Sequence, residues 1–315
     1  MNNTDAISNT ESAPVLEVTD LCVEYRGENR SVRAVDRVSF TIGSSEIFGL
    51  AGESGCGKST VANAIMRLLR DPAVIDGGSI RFKGRDVLAM GPEELRKFRW
   101  RDVAMVFQSA MNSLNPVSTI GDQIADIYIT HEGLTKKQAW ARSSELLGLV
   151  QIDPSRLKSY PHQLSGGMRQ RVVIAMATAL RPSLLIMDEP TTALDVVVQQ
   201  EIMAQIGELQ QELGFSILFI THDMSLMIEL SDRMAVMYAG RFVEMAEAKE
   251  LFTEPLHPYT KALINAFPPL HGPNNPLTGL AEGVRFTDIP DLREESAGHW
   301  VAPVNASSNT LKGDI

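Results

Sequence analysis

Residues 52–59 read Gly52-Glu53-Ser54-Gly55-Cys56-Gly57-Lys58-Ser59 and match G-x-x-x-x-G-K-[ST], the pattern of a phosphate-binding loop (P-loop). The apolar run 46–51 before the loop predicts a buried strand. Residues 59–70 after it carry apolar side chains at helical spacing and predict a helix. The backbone N–H groups of such a loop surround phosphates, and the N-terminus of the following helix favours negative charge. We therefore expect a nucleotide site, with Lys58 on the β- and γ-phosphates and Ser59 on Mg²⁺.

Two adjacent acidic residues, Asp188 and Glu189, end the short apolar run 184–187. Successive side chains of a strand point to opposite faces, so the two carboxylates are aimed in different directions. This arrangement suits two roles, with Asp188 facing Mg²⁺ and Glu189 acting as general base on the attacking water. Taken alone, such a pair is as often the N-cap of a helix. The P-loop in the same chain favours catalysis.

The stretch Leu164-Ser165-Gly166-Gly167-Met168-Arg169-Gln170 opens a predicted helix. Ser165 is a good N-cap, so a capped helix with a glycine-rich start is the structural interpretation. The same geometry also makes an exposed anion site at a helix N-terminus. The local sequence leaves both interpretations open.

The rest of the chain predicts one α/β domain. Residues 15 to about 90 predict strands and turns around the P-loop helix, and about 92–162 predict a mainly helical insert in which Thr135 and Gln138 form a capping box. From about 163 to 235 helices and strands alternate again, which favours a largely parallel core sheet. Residues 234–243 predict a hairpin around Ala239-Gly240.

The composition excludes several classes of protein. The formal net charge of −10 argues against non-specific nucleic-acid binding, which requires a basic face. The run 96–101 is locally basic, but such a run more often forms the solvent-exposed face of a helix than a nucleic-acid site. The two cysteines, Cys22 and Cys56, lack metal-ligand spacing. The longest nearly apolar run, 172–180, is far too short to span a bilayer, so any membrane role is expected to come from partners.

Both ends of the chain differ in composition from the predicted domain, 15–250. Residues 1–14 are mostly polar without Lys or Arg, which fits neither a signal peptide nor an amphipathic anchor and predicts a disordered tail. Residues 251–315 are rich in Pro, Gly, Asn and Ser and predict a C-terminal extension that is loosely ordered at its end. Phe286 and Trp300 are the only aromatic residues beyond residue 271, enough to pin a short segment onto the main domain.

The P-loop, the 164–170 stretch and the acidic pair, in this order, resemble the ATP-binding cassette (ABC) ATPases that power transporters. The resemblance covers roughly residues 15–270. It implies an α/β fold: a P-loop NTPase core with a mainly helical insert subdomain, at about 92–162, and an antiparallel β subdomain. It also implies an enzyme that hydrolyses ATP, with ATP and Mg²⁺ as cofactors.

The resemblance assigns roles to residues whose local patterns are uninformative. Gln108 matches a glutamine that touches Mg²⁺ and water, His222 a switch histidine at the γ-phosphate, and Tyr25 an aromatic residue that stacks on adenine. Asp195 belongs to a loop, 193–195, that matches one running across a dimer interface. Residues 165–167 match a site that binds the γ-phosphate held on the P-loop of a second ATPase domain, which implies a dimer.

The complete set of expected site residues combines both lines of reasoning. Catalytic roles are expected for Glu189, His222 and Gln108, and Mg²⁺ contacts for Ser59, Gln108 and Asp188. Contacts with ATP are expected from Tyr25, Gly52, Glu53, Ser54, Gly55, Cys56, Gly57, Lys58, Ser59, Thr60, Ser165, Gly166, Gly167, Gln170 and Asp195.

Further stretches resemble the ATPases of oligopeptide and dipeptide importers, namely 113–116, 160–163 and His257-Pro258-Tyr259-Thr260-Lys261-Ala262-Leu263. Relatives with the same motifs move nickel or oligosaccharides. Many such ATPases carry a C-terminal segment with cysteines that hold an iron–sulfur cluster. The corresponding residues 283–303 contain no Cys, so no iron–sulfur cluster is expected.

The resemblance implies an ATPase subunit that couples ATP hydrolysis to uptake of a solute, with short peptides the expected solute. It implies a place on the cytoplasmic face of the membrane, held there by two permease subunits. A second, different ATPase is expected rather than a second copy, together with an extracytoplasmic solute-binding protein and no nucleic acid. The alternatives are an importer of oligosaccharide or nickel, a non-transport ABC ATPase, and a plain P-loop nucleotide-binding module.

Overall fold

The chain folds around two β-sheets, as shown by a computed structural model that describes residues 13–28, 30–108, 110–191, 195–266, 286 and 289–304. The strands are β1 (Leu16–Arg26), β2 (Ser31–Ile42), β3 (Ile47–Ala51), β4 (Ala73–Phe82), β5 (Arg85–Asp86), β6 (Val103–Val106), β7 (Leu184–Asp188), β8 (Ser216–Ile220), β9 (Arg233–Tyr238), β10 (Arg241–Glu247), β11 (Arg293–Ser296) and β12 (His299–Val301). The α-helices are α1 (Lys58–Ile65), α2 (Pro92–Lys97), α3 (Ile120–Glu132), α4 (Lys136–Leu149), α5 (Gly166–Thr178), α6 (Val196–Leu213), α7 (Met224–Leu230), α8 (Ala248–Thr253) and α9 (Pro258–Asn265).

The larger sheet has, within the described residues, the strand order β11-β12-β10-β9-β3-β8-β7-β6. The five strands from β9 to β6 in this order run parallel to one another, whereas β9 pairs antiparallel with β10. Every residue of β3, β7 and β8 is buried. Parallel strands that are covered on both faces have nearly continuous apolar sequences, and this is why the sequence predicted these strands. The carboxyl ends of these strands share one edge of the sheet, and the segments that follow them meet there.

The smaller sheet is antiparallel, with the order β2-β1-β4-β5 in the part of the chain that the structure describes. Its apolar face packs on helix α1 and on strand β3, in one buried cluster that includes Val23, Phe40, Phe48, Val61 and Ile65. Phe40 stacks on Phe48 with ring centroids 5.1 Å apart. The predicted α/β core with an antiparallel β subdomain is therefore what the chain forms.

The helical insert is built mainly by α3 and α4. The predicted capping box at the start of α4 is present, with Thr135 accepting from the N–H of Gln138 and Gln138 accepting from the N–H of Thr135. The range 92–162, predicted to be mainly helical, also contains strand β6 at 103–106, which pairs in parallel with β7. Val103 and Val106 are fully buried there, because β-branched residues between two layers fit a buried strand. Among the described residues, no helix combines the length and the apolar content that a membrane crossing requires.

Helix α1 ends five residues before the predicted end at residue 70. Arg67 adopts a left-handed φ of +49°, its N–H donates to the carbonyl of Ala64, and the N–H of Leu68 donates to the carbonyl of Asn63. This pair of bonds is the Schellman motif, which satisfies the last carbonyls of a helix and turns the chain away. Leu68 and Leu69 still pack against the core, so their apolar spacing gave the impression of a longer helix.

The C-terminal extension shares the core sheet. The predicted boundary at residue 250 falls inside α8, and β12 pairs with β10 through Glu244–Val301 and Met245–Trp300. Phe286 is buried and meets the ring of Tyr238 edge-on at 5.6 Å. Residues 1–12, 267–285 and 305–315, which include the predicted N-terminal tail and the predicted loose end, lie outside the described residues.

A buried acid, Glu244, fixes this extension. Its carboxylate accepts from the N–H of Leu256 at 2.7 Å and of His257 at 3.0 Å, and it lies 2.8 Å from Nε2 of His299. Nδ1 of His299 lies 3.0 Å from Glu250. Burial lowers the pKa of His299, but the hydrogen bonds to Glu244 and Glu250 outweigh burial and raise it overall. Burial lowers the pKa of His257 to about 4, although the charge of Glu244 opposes the shift, and neutral His257 accepts from the N–H of Tyr259.

Replacing His299 with Gln should destabilise the protein in a pH-dependent way. The folded-state pKa of His299 is raised, so its contribution is full below the unfolded pKa of about 6.5 and is lost as pH rises through the folded pKa. Hydrogen bonds to charged groups contribute about 1.5–3 kcal/mol, so we expect a deficit of this order at pH 6 and a smaller one at pH 9. Urea unfolding of wild type and variant measures the deficit, and the titration of His257 cancels in the comparison. A deficit independent of pH would contradict the assignment.

Candidate functional site

The P-loop follows β3 and is shaped by glycines that no other residue could replace. Gly52 has a φ of +147°, and a Cβ there would lie 2.2 Å from the carbonyl oxygen of Met237. Gly57 has a φ of +116°, and a Cβ there would lie 2.4 Å from the carbonyl oxygen of Ala34. The loop is therefore pressed against the β9–β10 hairpin on one side and β2 on the other. Only glycine permits both the close approach and the positive φ.

Lys58 lies inside the P-loop, with 5% of its surface exposed. Its Nζ donates to the carbonyl oxygens of Gly52 and Glu53, both at 2.8 Å. These bonds compensate the burial of the ammonium group, which would otherwise be costly. The charge is thus held at the centre of the loop, where phosphate oxygens of a nucleotide are expected.

Cys56 occupies the interior of the same loop. Burial raises the pKa of its thiol, an effect that the nearby ammonium of Lys58 only partly offsets. Its carbonyl accepts from the N–H of Gly240 at 2.9 Å, which ties the loop to the β9–β10 turn. The side chain is buried, the N–H of Cys56 donates to the carbonyl of Glu53 at 3.3 Å, and the contact of Cys56 with ATP stays a prediction.

Asp188 and Ser59 meet at the base of the loop. The hydroxyl of Ser59 donates to Oδ1 of Asp188 at 3.0 Å. Burial raises the pKa of Asp188, and the hydrogen bond from Ser59 lowers it in part. A cation beside this carboxylate would favour its charged form and reverse the effect of burial. The pair thus offers two hard oxygen ligands at one point.

Glu189 adopts a left-handed φ of +47°, a conformation that costs a non-glycine residue about 1–3 kcal/mol and is concentrated at functional sites. Its N–H donates to the carbonyl of Ile220 at 2.8 Å, which fixes the strained backbone. Its carboxylate accepts from Nε2 of Gln108 at 2.8 Å and lies 3.3 Å from Nδ1 of His222. The three residues predicted to be catalytic therefore meet through side-chain contacts.

Sheet topology explains this meeting. Each of the three residues lies within two positions of the end of a core strand: Gln108 follows β6, Glu189 follows β7 and His222 follows β8. These three strands are neighbours and pair in parallel. Asp223 then caps α7 by accepting from the N–H groups of Ser225 and Leu226, so that His222 lies on a turn of fixed shape. More than half of the His222 side chain is exposed, which leaves it accessible to a ligand.

Tyr25, predicted to stack on adenine, lies near the same loop. It belongs to β1, opposite Val32 of β2 and Ala73 of β4, and 37% of its surface is exposed. Val32 is two residues from Ala34, whose carbonyl touches Gly57 of the P-loop. An exposed aromatic ring is thus available beside the P-loop, and its role as adenine platform stays a prediction.

The predicted site in residues 165–170 lies at the start of α5, on a different element from the P-loop and α1. Ser165 caps α5 by accepting from the N–H of Met168 at 3.2 Å, as predicted, and Gly167 lies against Val198 at the start of α6. Asp195 in turn caps α6, and Ala193 and Leu194 lie outside the described residues. Gln170 is 1% exposed, so within this chain its side chain does not face solvent. Within the described residues no hydrogen bond joins 165–170 to 52–59.

One contact of the P-loop was not predicted. The phenol oxygen of Tyr259, in α9, accepts from the N–H of Glu53 at 3.1 Å. The predicted contact of Glu53 with ATP therefore cannot use this N–H in the geometry seen here. The two residues are 206 positions apart, and no local pattern marks Tyr259 as a neighbour of the loop.

Comparisons with known proteins agree with this geometry. A family model described as ABC transporter matches residues 35–192, and one described as oligopeptide/dipeptide transporter, C-terminal region, matches residues 243–290. The dipeptide transport ATP-binding protein DppD of Haemophilus influenzae is 49% identical over 81% of this chain and 78% of its own length. The oligopeptide transport ATP-binding protein OppD of Salmonella typhimurium is 43% identical over 88% of this chain and 80% of its own length.

Solved structures give the same result. A dimeric ATP-binding cassette in a post-hydrolysis state, bound to ADP and phosphate, has a TM-score of 0.66 at 26% identity, over 74% of this chain and 98% of its own. The cbiO1 protein of Clostridium perfringens, part of an ABC transporter complex, has a TM-score of 0.67 at 27% identity, over 76% of this chain and 91% of its own. In sequence, in fold and in the arrangement of its P-loop and acidic pair, the chain belongs to the ABC transporter family.

Proposed function

We propose that this chain is the ATP-hydrolysing subunit of an ABC importer and that it powers the uptake of short peptides. ATP hydrolysis is supported above all by the carboxylate of Glu189, which lies between Gln108 and His222. These residues follow the carboxyl ends of core strands, at the edge of the sheet where Lys58 begins α1. The peptide part is supported by the C-terminal match at 243–290 and by relatives named for dipeptide and oligopeptide transport.

The P-loop is the element that would bind the nucleotide. The N-terminus of α1 begins at Lys58, and the first N–H groups of a helix have no partner within the helix, so they are available to phosphate oxygens. Lys58 adds its ammonium at the β- and γ-phosphates, held ready by the carbonyls of Gly52 and Glu53. Tyr25 would stack on the adenine.

The donor set at the base of the loop fits Mg²⁺. Ser59 and Asp188 present a hydroxyl and a carboxylate 3.0 Å apart, both hard oxygen ligands. Because the described residues include no group of three or more His, Cys, Asp or Glu side chains placed to hold a metal, the remaining ligands would be phosphate oxygens, water and the amide of Gln108. Bound there, Mg²⁺ supplies charge neutralisation on the phosphates.

Glu189 is the proposed general base. The contacts with Gln108 and His222 orient the carboxylate, so that it can accept a proton from a water aimed at the γ-phosphate. His222, exposed at the end of β8, would position that phosphate. Gln108 reports the state of this site to the helical insert, because its segment leads from β6 into α3.

The placement of 165–167 on α5, with no hydrogen bond to the P-loop within the described residues, supports a dimer in which each chain completes the site of the other. Ser165 is exposed at the start of α5, where N–H groups and the helix dipole favour an anion. We propose that the partner is a second, different ATPase, and that two permeases hold both on the cytoplasmic face of the membrane and receive peptides from an extracytoplasmic binding protein.

Replacing Glu189 with Gln should abolish most ATP hydrolysis while ATP still binds. The amide keeps the size of the side chain but cannot accept the proton, and loss of a general base costs about 10²–10⁴-fold in rate. Phosphate release by the assembled transporter measures the loss. Glu212→Gln, an exposed carboxylate in α6, is the matched control and should retain the wild-type rate. Near-normal turnover of Glu189→Gln would show that another group is the base.

Replacing Lys58 with Ala should weaken ATP binding itself. Charge-assisted hydrogen bonds contribute about 1.5–3 kcal/mol, which corresponds to roughly a 10- to 100-fold rise in the dissociation constant. Titration with a fluorescent ATP analogue measures the change, and Lys137→Ala on the exposed face of α4 is the control. An unchanged dissociation constant in a folded Lys58→Ala protein would contradict the phosphate role.

The native complex should contain this chain, one similar ATPase and two permeases. The physical reason is that each ATP site needs the 165–167 segment of a partner, so the isolated chain should hydrolyse ATP poorly. Affinity purification from membranes followed by mass spectrometry gives the composition. A complex with two copies of this chain and no second ATPase would refute the heterodimer and leave the site chemistry intact.

A further inference from the structure

The C-terminal segment reaches back to the nucleotide-binding loop through one side chain. Tyr259 is fully buried, and its phenol oxygen accepts the N–H of Glu53, the second residue of the P-loop. The carbonyl of that same Glu53 accepts from Nζ of Lys58 at 2.8 Å and from the N–H of Cys56 at 3.3 Å. Glu53 is therefore the junction between the C-terminal segment and the lysine expected to hold the phosphates.

Tyr259 has little freedom to move. Its ring centroid lies 4.7 Å from that of Tyr238. The backbone N–H of Tyr259 donates to Nδ1 of His257, and the backbone N–H of His257 donates to the buried carboxylate of Glu244. Burial raises the pKa of Tyr259 above its usual range, although the hydrogen bond from Glu53 opposes this, so the group is a neutral phenol at physiological pH. The hydroxyl is thus a fixed acceptor on a rigid support.

The same support contacts the loop at other points. The N–H of Gly240, in the β9–β10 turn, donates to the carbonyl of Cys56, and the carbonyl of Met237 lies against Gly52. These contacts fix the P-loop by backbone packing alone. Tyr259 adds a side-chain contact, because its hydroxyl binds Glu53, in the exposed part of the loop.

We propose that Tyr259 is a positioning residue of the ATP site, whose hydroxyl holds Glu53, and through it Lys58, in the geometry that binds phosphates. The inference rests on the proposed ATPase function and adds to it a role for the C-terminal segment. When a loop already has its binding geometry in the free protein, ATP binding does not carry the free-energy cost of ordering it. Without the hydroxyl, the first residues of the loop would sample other conformations, and ATP would bind less tightly.

The test is Tyr259→Phe in the full-length chain, since Phe keeps the ring packing and removes only the bond to Glu53. A neutral hydrogen bond contributes about 0.5–1.5 kcal/mol, so the dissociation constant for ATP should rise by roughly 2- to 10-fold. Tyr238→Phe is the matched control, because it loses a hydroxyl from the same aromatic cluster, and within the described residues that hydroxyl makes no hydrogen bond to the loop. Its ATP affinity should equal that of wild type.

Two further measurements separate positioning from stability. The melting temperature of Tyr259→Phe should match that of Tyr238→Phe, whereas a lower melting temperature with unchanged ATP affinity would show a structural role and overturn the proposal. In the wild-type chain, hydrogen–deuterium exchange should find the Glu53 amide protected without nucleotide. Rapid exchange at Glu53 would overturn the proposal whatever the variants do.

Lys58→Ala, measured in parallel, distinguishes this inference from the proposed function. If Lys58→Ala weakens ATP binding and Tyr259→Phe does not, the ATP site stands and the role of Tyr259 falls. If neither variant changes ATP affinity, the phosphate site itself is misassigned and the positioning role falls with it.

Discussion

The parallel pairing of β3, β8, β7 and β6 is the constraint on which the site depends. Side chains alternate between the faces of a strand, so a slip of one residue in any of these pairs would turn Asp188 or Glu189 to the wrong side. The burial of β3, β7 and β8 on both faces opposes such a slip, because most of their positions carry large apolar side chains that fit a close-packed core in one register. The carboxyl ends of these strands therefore stay aligned, and Lys58, Glu189, Gln108 and His222 are placed by the core rather than by their own loops.

The site combines buried charges with a strained backbone position. Lys58 and Asp188 are nearly buried charges, and each is held by specific hydrogen bonds. Glu189 keeps a strained backbone whose N–H is held by Ile220 of the neighbouring strand. These groups would be better solvated or relaxed elsewhere, and the surrounding sheet supplies the stability that holds them in place. The same balance appears at Glu244, whose buried carboxylate organises the C-terminal segment around His257 and His299.

The elements that the sequence predicted well are those with local causes. The P-loop pattern lies within the consecutive residues 52–59, the capping box at Thr135 and Gln138 is a contact between residues three apart, and the hairpin at Ala239-Gly240 follows from turn chemistry. The wrong prediction has a non-local cause. Helix α1 was predicted too long because Leu68 and Leu69 pack on the core after the helix has ended.

The sequence by itself determined the family of this protein and the motifs that predict its chemistry: a P-loop, an acidic pair and a serine-capped, glycine-rich helix start, since each of these is encoded in a few consecutive residues. Only the tertiary structure decided which of these groups meet. It joined Gln108, Glu189 and His222 at one carboxylate and brought Tyr259 to Glu53 across 206 positions of the chain. The physical reason is that contacts between strand ends and between distant helices follow from the order of strands in the sheet and from how the layers pack, and neither is written in any short stretch of sequence.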